Sequence, residues 1–137
     1  MKKIKNILLL IILFIIYVTI SAKSYAVSVS KDLSNAVFRL HVIANSDSKK
    51  DQDLKYLVRD ELIKYMNSIS ENISSKDEAI KLVEKNKDEF YKIAKKVISD
   101  NGFNYDVSIN IGNFSFPTKT YGDISLPTGF YDALKVE

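Results

Sequence analysis

The chain has 137 residues, 20 lysines and arginines against 17 acids, one histidine and no cysteine. The formal charge of +3 is misleading, because the first 26 residues hold Lys2, Lys3, Lys5 and Lys23 and no acid. Without them the chain carries 16 basic against 17 acidic residues, which gives no reason to expect a nucleic-acid ligand.

Those first residues read as a signal peptide. The early lysines form a positive n-region, Ile7 to Ile20 is apolar apart from Tyr17 and Thr19, and Ser24-Tyr25-Ala26 offers small residues for cleavage after Ala26. The alternative is an uncleaved anchor, but a 14-residue run spans only roughly 21 Å as a helix, against about 30 Å of hydrocarbon. Cleavage is the expectation, and either way the remainder is exported. Residues 27–35 are expected to be a mobile lead-in, and 36–137 one small domain held by packing without disulfides.

Val37 to Ala44 alternates, with Phe38, Leu40, Val42 and Ala44 on one side and Val37, Arg39, His41 and Ile43 on the other, which predicts a strand. Ser48 and Asp51 then resemble a capping box. They open a helix whose apolar stripe runs through Leu54, Leu57, Val58, Leu62, Tyr65, Met66 and Ile69. Ser75 with Glu78 starts a second helix, Asn86 with Glu89 suggests a break, and Asn101-Gly102 is a stop. Tyr105, Val107, Ile109 and Ile111 predict a strand, and Gly112-Asn113 a tight connection to a short or edge strand at Phe114 and Phe116. Turns at Gly122-Asp123 and Pro127-Thr128-Gly129 lead to a last strand over 130–136, with nothing to cover its edge. The order β-α-α(-α)-β-β-β predicts an α+β fold, two to three helices packed on one face of a mostly antiparallel sheet.

The only His (His41), the only Gln (Gln52) and both Arg (Arg39, Arg59) lie within residues 39–62, RLHVIANSDSKKDQDLKYLVRDEL. Metal chemistry is unsupported: zinc would need three carboxylates around His41, and a calcium loop from Asn45 lacks its Gly and its final Glu. No cofactor is expected, since none of the four glycines forms a phosphate cradle. His41, Ser46 and Asp47 could form a hydrolytic relay only if they converged, and a Ser and an Asp before a helix are more often caps. Asp51/Asp53 and Asp60/Glu61 suit the first turn and face of a helix as well as catalysis. No catalytic residue is assigned.

Two readings of the 39–62 cluster remain. In one it is a strand-to-helix corner: Asn45, Ser46 and Asp47 bind the turn backbone, Asp51 pairs with Lys55, and Arg39 pairs with an acid such as Asp60. In the other it is a recognition surface, with Arg chosen over the abundant Lys for its planar fork. The candidate partner-binding positions are Arg39, His41, Asn45, Ser46, Asp47, Asp51, Gln52, Lys55, Arg59 and Asp60. Tyr121 and Tyr131 follow as exposed-turn aromatics that suit interfaces, sheet packing being the simpler account of both.

The same stretch, with FPTKTYG at 116–122 and LPTGFYDALKVE at 126–137, resembles the stage II sporulation protein R family of endospore-forming bacteria. The resemblance implies export into the space between forespore and mother-cell membranes. There the protein would activate a membrane-bound aspartic protease that matures the sigma-E precursor; it would be an activator, with no small-molecule substrate. The family pattern continues past YDALKVE into a Gly-rich turn, a Trp-Trp-Cys segment and a Pro-rich end with a second Cys, so a C-terminal truncation is expected. The alternative from another class is an envelope-associated or cell-wall hydrolase using His41 with nearby acids.

Overall fold

The computed structural model describes residues 2–137. An apolar helix, α1 (Lys2–Ala36), precedes strand β1 (Phe38–Val42); α2 (Lys49–Ile69), α3 (Lys76–Lys85) and α4 (Lys87–Asp100) follow. Then come β2 (Ile109–Phe116), β3 (Lys119–Tyr121), β4 (Ile124–Leu126) and β5 (Gly129–Val136). The chain is α+β, with four helices and five strands rather than the expected two to three and four.

Helix α1 is long and apolar enough to cross a membrane, and none of its residues is buried. It runs on to Ala36, through residues 27–35, the stretch expected to be a lead-in. The caps follow the sequence. Ser48 Oγ accepts from the Asp51 backbone N–H, and Ser75 Oγ from that of Glu78. Asn86 ends α3 and begins α4, and Gly102 closes α4 with a φ of +79°, a left-handed turn that favours glycine.

The main sheet has the order β1-β5-β2, so the last strand is the central one and its edges are covered. It is mixed: β5 pairs antiparallel with β2 and parallel with β1. An edge position had been expected for β5, yet Tyr131, Ala133, Leu134 and Val136 are all nearly inaccessible. Residues of both parities are buried, which requires cover on both faces.

On one face Phe38, Leu40 and Val42 of β1, Ile109 and Ile111 of β2, and Leu134 and Val136 of β5 meet Leu54, Val58, Leu62, Val83, Phe90, Ala94 and Ile98 from the helices. Each large side chain fully buried there, such as Leu62 or Phe90, contributes about 1.5–3 kcal/mol. At the edge of this layer Asp132 accepts from Lys76 Nζ at 2.5 Å and from Asn113 Nδ2 at 3.0 Å, tying α3 to the sheet. The opposite face holds a second, smaller cluster of Phe116, Leu126, Tyr131 and Ala133, flanked by Val37 and Phe114.

Two sequence expectations fail in β2. The strand begins at Ile109 rather than Tyr105, because Lys95 Nζ takes the Tyr105 carbonyl (2.8 Å) and Asp106 Oδ1 accepts from the Val107 N–H (3.0 Å). Gly112-Asn113 is not a turn. Gly112 pairs with Ala133 inside one continuous strand, its φ is not positive, and the Phe114 ring packs 3.5 Å from where its Cβ would lie. The Gly122 turn, with φ +57°, joins β3 and β4 into a separate hairpin that carries Tyr121.

Candidate functional site

The structure divides the 39–62 cluster between two places. The corner between β1 and α2 is organised around Asp51, which is 5% exposed. Its Oδ2 accepts from Ser46 Oγ at 2.5 Å and Asn45 Nδ2 at 3.4 Å, and its Oδ1 accepts from Tyr105 Oη at 3.0 Å. These bonds, that of Ser46 above all, hold the carboxyl below its ordinary range, while the hydrogen bond to Asp51 raises the Tyr105 phenol. Ser46 Oγ also accepts from the Ser48 N–H, and Gln52 Nε2 donates to the Ser46 carbonyl at 2.9 Å.

Asp51 therefore does not pair with Lys55, as its i, i+4 spacing suggested. Lys55 donates to Gln52 Oε1 at 2.5 Å, while Ser46, Tyr105 and Asn45 supply the donors to the carboxylate. Asp47 lies in the exposed turn. Tyr105 is the member of the corner that sequence reasoning missed. It is 54 positions from Asp51 in the chain, and nothing local in its sequence marks it as a partner.

The other place is the outward face of the sheet. Arg39 and His41 point there, opposite Phe38, Leu40 and Val42, as the alternation predicted. Arg39 is only 7% exposed, and it does not reach Asp60. Asp60 is taken instead by neighbouring Arg59, at 2.6 Å on the exposed side of α2. The Arg39 guanidinium carbon lies 3.9 Å from the centre of the Phe116 ring and 4.9 Å from that of Tyr131. Its Nη2 donates to Tyr121 Oη at 3.3 Å, a long bond, and its Nη1 is closed off from solvent without an acceptor. Two aromatic faces thus hold a buried cation without a carboxylate.

Tyr131 is not an exposed-turn aromatic. It is fully buried in the central strand, donates to the Pro127 carbonyl at 2.7 Å and packs edge-on to Phe116. Tyr121, half-exposed on its hairpin, does sit in a turn region. Neither Phe116 nor its stacking on Arg39 was foreseen. In the sequence Phe116 reads only as a strand residue and Tyr121 as an exposed-turn aromatic, although the FPTKTYG segment brings both to Arg39.

His41 lies tilted against Phe116 with centroids 5.0 Å apart. Burial, and then the nearby Lys135 and Arg39 cations, lower its pKa below 6.5, so the imidazole is neutral at neutral pH; Glu137 acts weakly in the other direction. Ser46 hydrogen-bonds to Asp51, and among the described residues His41 makes no hydrogen bond to an acid or serine that would form a relay.

A groove of about 590 Å³ runs along the edge of the sheet at β1, between α2 and the 115–121 segment. Arg39, His41, Lys55, Arg59 and Lys119 line it with Tyr56, Phe116 and Tyr121, and no lining residue is acidic. Tyr56 carries Lys55 Nζ 4.6 Å and the Arg59 guanidinium 4.9 Å from its ring centre. The arrangement can bind an anionic, partly apolar surface and offers no assembled nucleophile.

Comparison with known proteins gives a consistent assignment. The family model for stage II sporulation protein R matches residues 34–137, the whole region after the apolar helix. Stage II sporulation protein R of Bacillus subtilis (strain 168) is 35% identical over 104 residues, 76% of this chain and 46% of that protein. The chain thus spans about half the length of the relative it matches, and no solved structure matches it. The matched region contains the Asp51 corner, Arg39 and the 115–121 segment, and the chain belongs to the stage II sporulation protein R family.

Proposed function

We propose that this chain is an exported sporulation signal that activates a membrane-bound aspartic protease of the mother cell and so triggers maturation of the sigma-E precursor. Membership of the stage II sporulation protein R family carries this reading. The apolar N-terminal helix is compatible with a signal sequence, and cleavage after Ala26 would release residues 27–137 into the space between the forespore and mother-cell membranes. The candidate contact surface is the cationic, aromatic-lined groove at the β1 edge of the sheet; the Asp51 corner shapes the scaffold beside it.

The test is precursor cleavage in a non-sporulating host that expresses the protease, the precursor and this chain, with the Bacillus subtilis relative as the positive control. Cleavage with this chain is the expected result. Cleavage with the relative alone would overturn the reading for this chain. The mass of the exported product reads the cleavage site directly.

A further inference from the structure

A guanidinium buried to 7% exposure with one nitrogen unpartnered is an unusual thing for a small domain to keep. Removing such a charge from water is costly, and cation–π contacts offset only part of that cost. The one hydrogen bond it makes on this face, donated by Nη2 to the Tyr121 hydroxyl oxygen, is long. A buried arginine of this kind ordinarily has a carboxylate, and none lines the groove beside it. From this unfilled valence, we infer that the groove takes an acidic residue of a partner polypeptide, whose carboxylate accepts from both Nη1 and Nη2 of Arg39 in place of the Tyr121 hydroxyl.

The surroundings favour that occupant. Nη1 and Nη2 form the flat edge of the guanidinium, which matches the two oxygens of a carboxylate. Phe116 and Tyr131 fix that edge in place, so little side-chain entropy is lost when the anion arrives. Tyr121 sits on the β3–β4 hairpin, which forms no ladder with the main sheet, so its hydroxyl can leave without breaking strand pairing. Lys55 and Lys119 add positive potential at the rim. Tyr56, Ile63 and Tyr121, each between 41% and 53% exposed, supply the apolar surround that a polypeptide uses and a free inorganic ion does not.

The inference deepens the proposed activator role and rests on it only for the partner's identity. Acetate binding requires no protease, and precursor cleavage by the unmodified chain requires no knowledge of this contact, so the two can fail separately.

The experiment is an NMR titration of the full, isotope-labelled chain in zwitterionic detergent with sodium acetate, against sodium chloride and inorganic phosphate at equal ionic strength. With two arginines and one histidine in the chain, the Arg Nε–H and imidazole signals are few enough to assign. Acetate should shift the Arg39 signal saturably and move His41 with it, while chloride and phosphate should not. Tyr121→Phe removes the internal competitor and should tighten acetate binding roughly 2–10-fold. Arg39→Met should abolish the response while the backbone spectrum stays folded. No saturable shift, an unchanged affinity in Tyr121→Phe, or a response to phosphate as strong as that to acetate would each overturn the proposal.

Discussion

The domain buries two charged side chains, Asp51 and Arg39, and treats them in opposite ways. Asp51 is surrounded by three side-chain donors at the start of a helix, where the backbone dipole also favours an anion. Arg39 rests between two rings with one weak bond and one idle nitrogen. The first is a closed network whose members satisfy one another. The second leaves a buried nitrogen without a partner, beside a groove that Arg39 lines. Burial alone therefore does not distinguish scaffold from contact surface; the count of satisfied donors and acceptors does.

The largest expected effect falls on the Arg39 side. Tyr131→Ala removes a fully buried ring from the central strand and one wall of the Arg39 stack, and should cost about 3–5 kcal/mol by urea unfolding. Ser46→Ala attacks only the corner. It leaves Asp51 Oδ2 with only the long Asn45 bond and the Ser48 N–H without its partner, for a loss of about 1–2 kcal/mol, and should leave the Arg39 signals unmoved.

Acid sharpens the contrast further. The folded pKa of Asp51 lies below its ordinary 3.8, so the corner's contribution is complete above about pH 4 and is lost as pH falls through the folded value. Glu78 and Asp132 are depressed as well and act in the same direction. His41 has a folded pKa below 6.5, so its contribution is complete above that pH and declines as pH falls through the folded value. Urea midpoints measured from pH 7 to pH 2 should therefore fall in two stages, and Ser46→Ala should flatten the lower one.

Local features of the sequence predicted local features of the fold. The alternation of 37–44, the Ser48 and Ser75 caps, the break at Asn86 and the stop at Gly102 are all encoded within a few residues of where they act. What escaped was non-local. Placing β5 between β1 and β2 depends on which faces find cover, and the alternation within 130–136 is the same for an edge strand as for a central one. Gly112-Asn113 has turn composition, but cross-strand pairing with Ala133 and Asp132 overrides it. In the candidate site, Arg39 and His41 could be assigned to one face, yet their aromatic neighbours come from residues 116, 121 and 131. The ion pair Asp51–Lys55 failed because other side chains took both partners, and Arg39–Asp60 failed because Arg59 takes Asp60 while Arg39 packs between two rings.

The most direct test of the opposition between the two buried charges is the unfolding free energy of Arg39→Met, measured beside Asp51→Ala. The account predicts that Arg39→Met stays within about 1 kcal/mol of the unmodified chain, because it replaces an unpaired charge by apolar bulk of similar reach, whereas Asp51→Ala loses stability clearly. A loss of about 3 kcal/mol or more in Arg39→Met would mean that the guanidinium is as much a part of the scaffold as the Asp51 corner, and would contradict the account.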